Sequence, residues 1–136
     1  MQKKIKRSFA LLTLSITPLL LGKVFTQQPD KVIPDKYTNL KNPLSTDAKN
    51  LAAGAKIYKK VCWTCHGDNG KGNGPGAREI KTPVADFNNP VVAGRTDGAL
   101  FWWISYGGND MQPYKDVLSK DEIWQIIIYI RKIQNK

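Results

Sequence analysis

The amino-acid sequence predicts an all-α domain over residues 45–136. Three segments carry apolar residues at helical spacing, and their starts carry capping residues. The stretch between the first two shows no strand-like alternation. Ser45 or Thr46 can cap the first helix, with Asp47 in its first turn. Leu51, Ala55, Tyr58 and Cys62 then recur at four- and three-residue steps along one face. Gly54 lies inside this helix at a cost of roughly 1 kcal/mol against Ala. It is either simply tolerated or admits another backbone at close range. A second helix is predicted over residues 97–106, capped by Thr96 and stopped by Gly107. Leu100, Phe101 and Ile104 form its apolar face, with Trp103 beside it. The third helix opens on a capping box, Ser119 with Glu122, and on a hydrophobic staple, Leu118 with Ile123. Ile126, Ile127, Ile130 and Ile133 continue its period. A domain of this size is marginal without a staple or a cofactor.

Residues 67–90 are rich in Gly, Pro and Asn. A long irregular loop in a small domain is expected only where it serves a function, and wrapping a large apolar cofactor would be one.

The chain ahead of the domain divides in two. Residues 1–7 hold Lys3, Lys4, Lys6 and Arg7, and residues 8–22 are apolar and uncharged. This is the pattern of an export signal. Residues 1–25 are therefore read as a signal peptide or a signal anchor. If uncleaved, residues 8–24 just reach the length of about 17 apolar residues that a bilayer span needs. The positive-inside rule then leaves the domain outside the cytoplasm. Either way the expected location is extracytoplasmic, in the periplasm, soluble or tethered to the inner membrane. The absence of a Cys near the apolar run excludes a lipoprotein anchor. Residues 26–44 are polar and carry Pro29, Pro34 and Pro43, reading as a tether or as an arm on the domain surface.

The net charge of +10 includes five cations within residues 1–25, and the remaining 16 basic and 11 acidic residues leave a moderately basic domain. It has no basic stripe or readout motif for nucleic acid. Its charge suits solubility and steering towards redox partners with acidic faces.

The most specific signal is Cys62-Trp63-Thr64-Cys65-His66, which matches C-x-x-C-H, the attachment motif of c-type haem. Two thiols three positions apart reach the two vinyl groups on one porphyrin edge, and the next residue offers its imidazole to the iron. A thioredoxin-like dithiol would need a βαβ context. A structural zinc site would need four ligands, where this motif supplies three, two of them adjacent. A simple disulfide would leave His66 and the Gly-rich loop unexplained. The sixth iron ligand follows by elimination. His66 is the only histidine, and Met111 is the only methionine besides Met1. Thioether ligation opposite histidine raises a haem's potential.

The chain resembles the small monohaem class I cytochromes c, especially the c-type domains related to the third subunit of cbb3-type oxidases. The resemblance covers residues 51–133. It rests on Gly54 with Tyr58, on the Cys62-to-Gly67 motif and on residues 70–75. Thr96-Asp97-Gly98, Leu100-Phe101, Met111 with Pro113, and Glu122-Ile123-Trp124 with Tyr129-Ile130-Arg131 complete it. The resemblance implies a small cytochrome c fold, with three main helices and long loops around one covalent haem c. It implies that the Pro75 carbonyl accepts the Nδ1 proton of His66, fixing the tautomer. It also implies that Gly54 and Tyr129 meet where the first and last helices cross. The 83–87 stretch resembles the segment covering the haem's carboxylate side. One departure is that Gln112 separates Met111 from Pro113, where the family commonly joins Met to Pro directly. The implied role is a non-enzymatic, exported, single-electron carrier of a respiratory chain with His/Met ligation. The alternative is a haem-bearing subunit of a dehydrogenase or a peroxidase-like enzyme.

Overall fold

The computed structural model describes residues 31–134. The export or anchor segment and the first part of the 26–44 stretch lie outside the described residues. Among the described residues, no helix is long and apolar enough to cross a membrane.

The elements are α1 (Asp35–Thr38), α2 (Ala48–Val61), α3 (Trp63–His66), a 3-10 turn (Pro75–Glu79), α4 (Pro90–Ala93), α5 (Asp97–Tyr106) and α6 (Lys120–Gln134). The described residues are all-helical apart from one isolated bridge, and α2, α5 and α6 are the three main helices expected from periodicity. The cap of α2 differs from expectation. Asp47 itself is the N-cap, accepting from the Asn50 amide at 2.8 Å, while Ser45 Oγ donates to the Asp47 carboxylate at 2.6 Å. A carboxylate is the stronger acceptor for an exposed helix amide, so the hydroxyl serves to orient it. The other two caps are as read. Thr96 Oγ1 accepts from the Ala99 amide, and Ser119 and Glu122 bond reciprocally.

The main helix contact is α2 on α6. Ile126 and Ile127 are fully shielded from solvent there, with Tyr58 and Ile123 at 1% exposure. Gly54 is the point of closest approach. A Cβ at that position would collide with the Gln125 carbonyl of α6, so the tight-contact option for this glycine is the one the fold uses. Its partner lies one turn earlier than Tyr129. Tyr129 packs on Tyr58, one turn after Gly54 on the same face, with ring centroids 5.0 Å apart. Gly54→Ala is expected to lower stability by about 1–3 kcal/mol, because backbone has to move to admit the methyl. Denaturant midpoints of the haem-loaded protein measure this. An unchanged midpoint would mean that the two helices separate freely.

Residues 34–44 form an arm on α5 and α6. Gly98 lets the Tyr37 carbonyl sit directly on α5, where any Cβ would clash. Thr96 Oγ1 donates to the Thr38 carbonyl at 2.8 Å, and Asn42 Nδ2 donates to the Trp124 carbonyl at 3.1 Å. The Tyr37 and Tyr106 hydroxyls are 2.6 Å apart. At the other end of α6, Arg131 pairs with Asp97 at 2.8 Å and donates to the carbonyls of Ala93 and Arg95. Together these contacts hold α5 between arm and α6, which aims the loop after Tyr106 at the end of α2.

Candidate functional site

Helix α2 stops at Val61, and Cys62 is at once its C-cap and the N-cap of α3. The amides of Cys65 and His66 both donate to the Cys62 carbonyl, at 3.2 and 2.9 Å. This single turn gathers both thiols and the imidazole. The thiols are not joined, Cys62 being buried and Cys65 half-buried. Burial pushes the Cys62 thiol up to about 12, with the nearby Cys65 adding to the shift. It is therefore a protonated thiol, unlike the low-pKa nucleophile of a redox-active dithiol. Among the described residues, no three His, Cys, Asp or Glu side chains converge on a metal position.

The Gly-rich loop is packed against this turn. Gly67, Gly70 and Gly72 adopt positive φ. The Gly74 amide donates to the Cys65 carbonyl at 3.0 Å, and a Cβ on Gly74 would strike the carbonyls of Trp63 and Thr64. Tyr58, buried in α2, donates its hydroxyl to the Gly67 carbonyl at 2.7 Å. The loop then reaches Phe87, whose amide donates to the Gly70 carbonyl at 2.7 Å.

Burial depresses the pKa of His66, opposed in part by a backbone hydrogen bond with Ala85. The imidazole is thus held neutral, the form that binds metals. It stacks on Phe87 with centroids 4.5 Å apart. Its Nδ1 is buried and has no hydrogen-bond partner. The Pro75 carbonyl, expected to accept from that nitrogen, does not do so here. The ring is stacked on Phe87 of the 83–87 segment, and the turn that begins at Pro75 lies against α3.

Met111 sits in a tight turn after α5. Gly108 and Met111 exchange backbone hydrogen bonds of 3.0 and 2.9 Å, and Asn109 between them takes φ +53°, a value that Asn tolerates. Met111 is half-buried against the same apolar cluster that contains Cys62, Phe87, Leu100 and Ile104. Two side chains tie this turn to the rest of the site. Asp110 accepts from the Thr82 amide at 2.9 Å. Tyr114 donates to the Val61 carbonyl, the residue before Cys62, at 2.8 Å. Burial raises the pKa of the Tyr114 hydroxyl, and Gln112, the residue inserted between Met111 and Pro113, opposes that shift.

Sequence reasoning missed Tyr114 as a site residue, reached Phe87 only as the end of the 83–87 stretch, and left Trp103 beside a helix face. Trp103 Nε1 is buried with no acceptor, its ring lies under Gly108, and the Arg95 guanidinium stands 5.0 Å from that ring. A groove of about 730 Å³ under the arm, walled by Tyr37, Phe101 and Trp124, contains none of the site residues. Two unpaired thiols on one turn, a neutral buried imidazole, an indole N–H without an acceptor and an apolar cluster between them fit a haem. That group brings vinyls, a metal and carboxylates to one flat apolar body.

Comparison with known proteins agrees with this geometry. The family described as cytochrome C oxidase, cbb3-type, subunit III matches residues 49–130. A chain of the reducing HAO-like protein complex of Kuenenia stuttgartiensis is similar at 28% identity and a TM-score of 0.61. That likeness covers 79% of this chain and 52% of the other, so this chain spans about half of its length. The c-type cytochrome KustC0563 is similar in fold, at 24% identity and a TM-score of 0.52, over 60% of this chain and 96% of that one. No curated protein matches the chain. With the family match spanning more than half of the sequence and the helical cytochrome c fold around C-x-x-C-H, the chain belongs to the cbb3-type cytochrome c oxidase subunit III family, and is a c-type cytochrome of an electron-carrier family.

Proposed function

We propose that the chain carries one haem, joined to Cys62 and Cys65 and ligated by His66 and Met111, and that it passes single electrons between extracytoplasmic redox proteins of a respiratory chain. The observation that carries this reading is the convergence of the Cys62–His66 turn and the Met111 turn on one apolar cluster. Bound haem supplies a one-electron ferric–ferrous couple.

The chain's own residues set the conditions. Cys62 and Cys65 fasten the group to a domain too small to enclose it by burial alone. His66 offers a neutral imidazole, and Met111 a soft thioether that favours the ferrous state. The apolar cluster excludes water and disfavours the more charged oxidation state, as desolvation does for any charged form. The unpartnered Trp103 Nε1 is available to donate to a haem carboxylate, with Arg95 nearby. Two protein ligands leave the iron no open coordination position, which suits a carrier and opposes catalysis at iron. The basic surface supports encounter with acidic partners.

Voltammetry of the haem-loaded full chain is expected to give one reversible one-electron wave. Electron exchange with an acidic redox protein should slow as ionic strength rises. Rapid turnover of hydrogen peroxide with the Met111 ligation intact would overturn the carrier reading in favour of an enzyme.

A further inference from the structure

Asp110 immediately precedes Met111, yet its carboxylate reaches across 28 residues of sequence to the amide of Thr82. Thr82 opens the 83–87 segment, which ends at Phe87, the residue stacked on the His66 ring. The amide of Phe87 in turn donates to the Gly70 carbonyl, so this segment is anchored to the haem-motif loop. On the other side, the reciprocal backbone bonds of Gly108 and Met111 make the turn that carries Met111 a short, stiff unit. A side chain that fixes one residue of such a unit fixes its neighbour. The Asp110–Thr82 bond therefore joins the part of the chain bearing Met111 to the part backing His66. The bond is exposed, and its influence reaches the site through the turn.

We infer that Asp110 is a positioning residue, whose bond to Thr82 clasps the Met111 turn shut and sets how readily an outside ligand takes the place of Met111. The inference rests on the proposal that Met111 ligates iron. It assigns a task to a carboxylate that an exposed loop would otherwise carry only for solubility.

The test is imidazole binding to the ferric, haem-loaded full chain, in wild type, Asp110→Ala and Asp110→Asn. Loss of one charge-assisted hydrogen bond should raise imidazole affinity in Asp110→Ala roughly threefold to tenfold. The limiting rate at saturating imidazole, which reports opening of the turn, should rise by a similar factor. Asp110→Asn keeps an acceptor oxygen for the Thr82 amide and is expected to lie close to wild type. Thermal midpoints should be nearly equal in all three, which separates a local clasp from general loosening. Equal affinities and limiting rates across the three proteins, with the far-red sulfur-to-iron band present in wild type, would overturn the clasp while leaving Met111 as ligand. A wild-type spectrum without that band would overturn the ligation and the clasp together.

Discussion

Cys62→Ala and Cys65→Ala are each expected to lose one thioether bond and much of the yield of haem-loaded protein, and the double variant to hold no covalent haem. The geometry explains why the effect is large. Both thiols leave a single turn closed by the Cys65 and His66 amides on the Cys62 carbonyl, so each is delivered by the same few backbone bonds. Cys62 also belongs to the buried cluster, so its loss removes packing as well as an attachment point. Without the cofactor the remaining apolar core is small for an independent fold. Mass spectrometry of wild-type protein, made with the c-type maturation machinery, should show the mature chain plus one haem that survives acid extraction. A mature mass with no haem added would falsify the covalent reading. Single variants that kept two stable bonds would be equally damaging to it.

The second large effect is expected at Met111. Ferric wild type should show a weak sulfur-to-iron charge-transfer band in the far red, and Met111→Ala should abolish it. The variant should bind small ligands such as imidazole or cyanide without first opening the turn. Its potential should fall by roughly 60–120 mV, the equivalent of a ten- to hundredfold loss of ferrous preference in a one-electron couple. The inserted Gln112 makes the position informative. In this structure the backbone pairing of Gly108 with Met111 is intact, so the turn closes on the methionine ahead of the insertion. If the alanine variant kept the band and the potential, the ligand would have to come from elsewhere in the chain.

What could be read in the sequence was what repeats or stands contiguous. Helices α2, α5 and α6 are long enough for their apolar periods to register, and the isoleucines of α5 and α6 are buried. The haem motif is five adjacent residues. The four-residue helices α1, α3 and α4 carry no period of their own and are held by tertiary contacts. The break at Cys62 was hidden because the apolar face of α2 runs straight into it. Long-range single bonds were equally invisible. Nothing in the local sequence of Tyr114 points to Val61, and nothing at Asp110 points to Thr82. The Nδ1 of His66 is a case of the opposite kind. The resemblance supplied a partner, Pro75, that the imidazole stacked on Phe87 does not reach for in this structure.

The arm changes what counts as the smallest self-sufficient piece of this protein. Composition suggests trimming at Ser45, where the first long helix is about to begin. A chain cut there would bare the face of α5 and α6 on which Tyr37 stacks over Phe101, and would leave Gly98 facing water. It would also strip the Trp124 carbonyl of its Asn42 donor. The exposed aromatic strip would invite self-association. The arm's contacts begin earlier still: the Pro34 carbonyl accepts from the Tyr37 amide in the arm's helical turn, and Lys31 Nζ donates to the Gly107 carbonyl at 3.5 Å. The self-sufficient piece therefore includes residue 31, some fourteen residues ahead of the point that composition alone would choose.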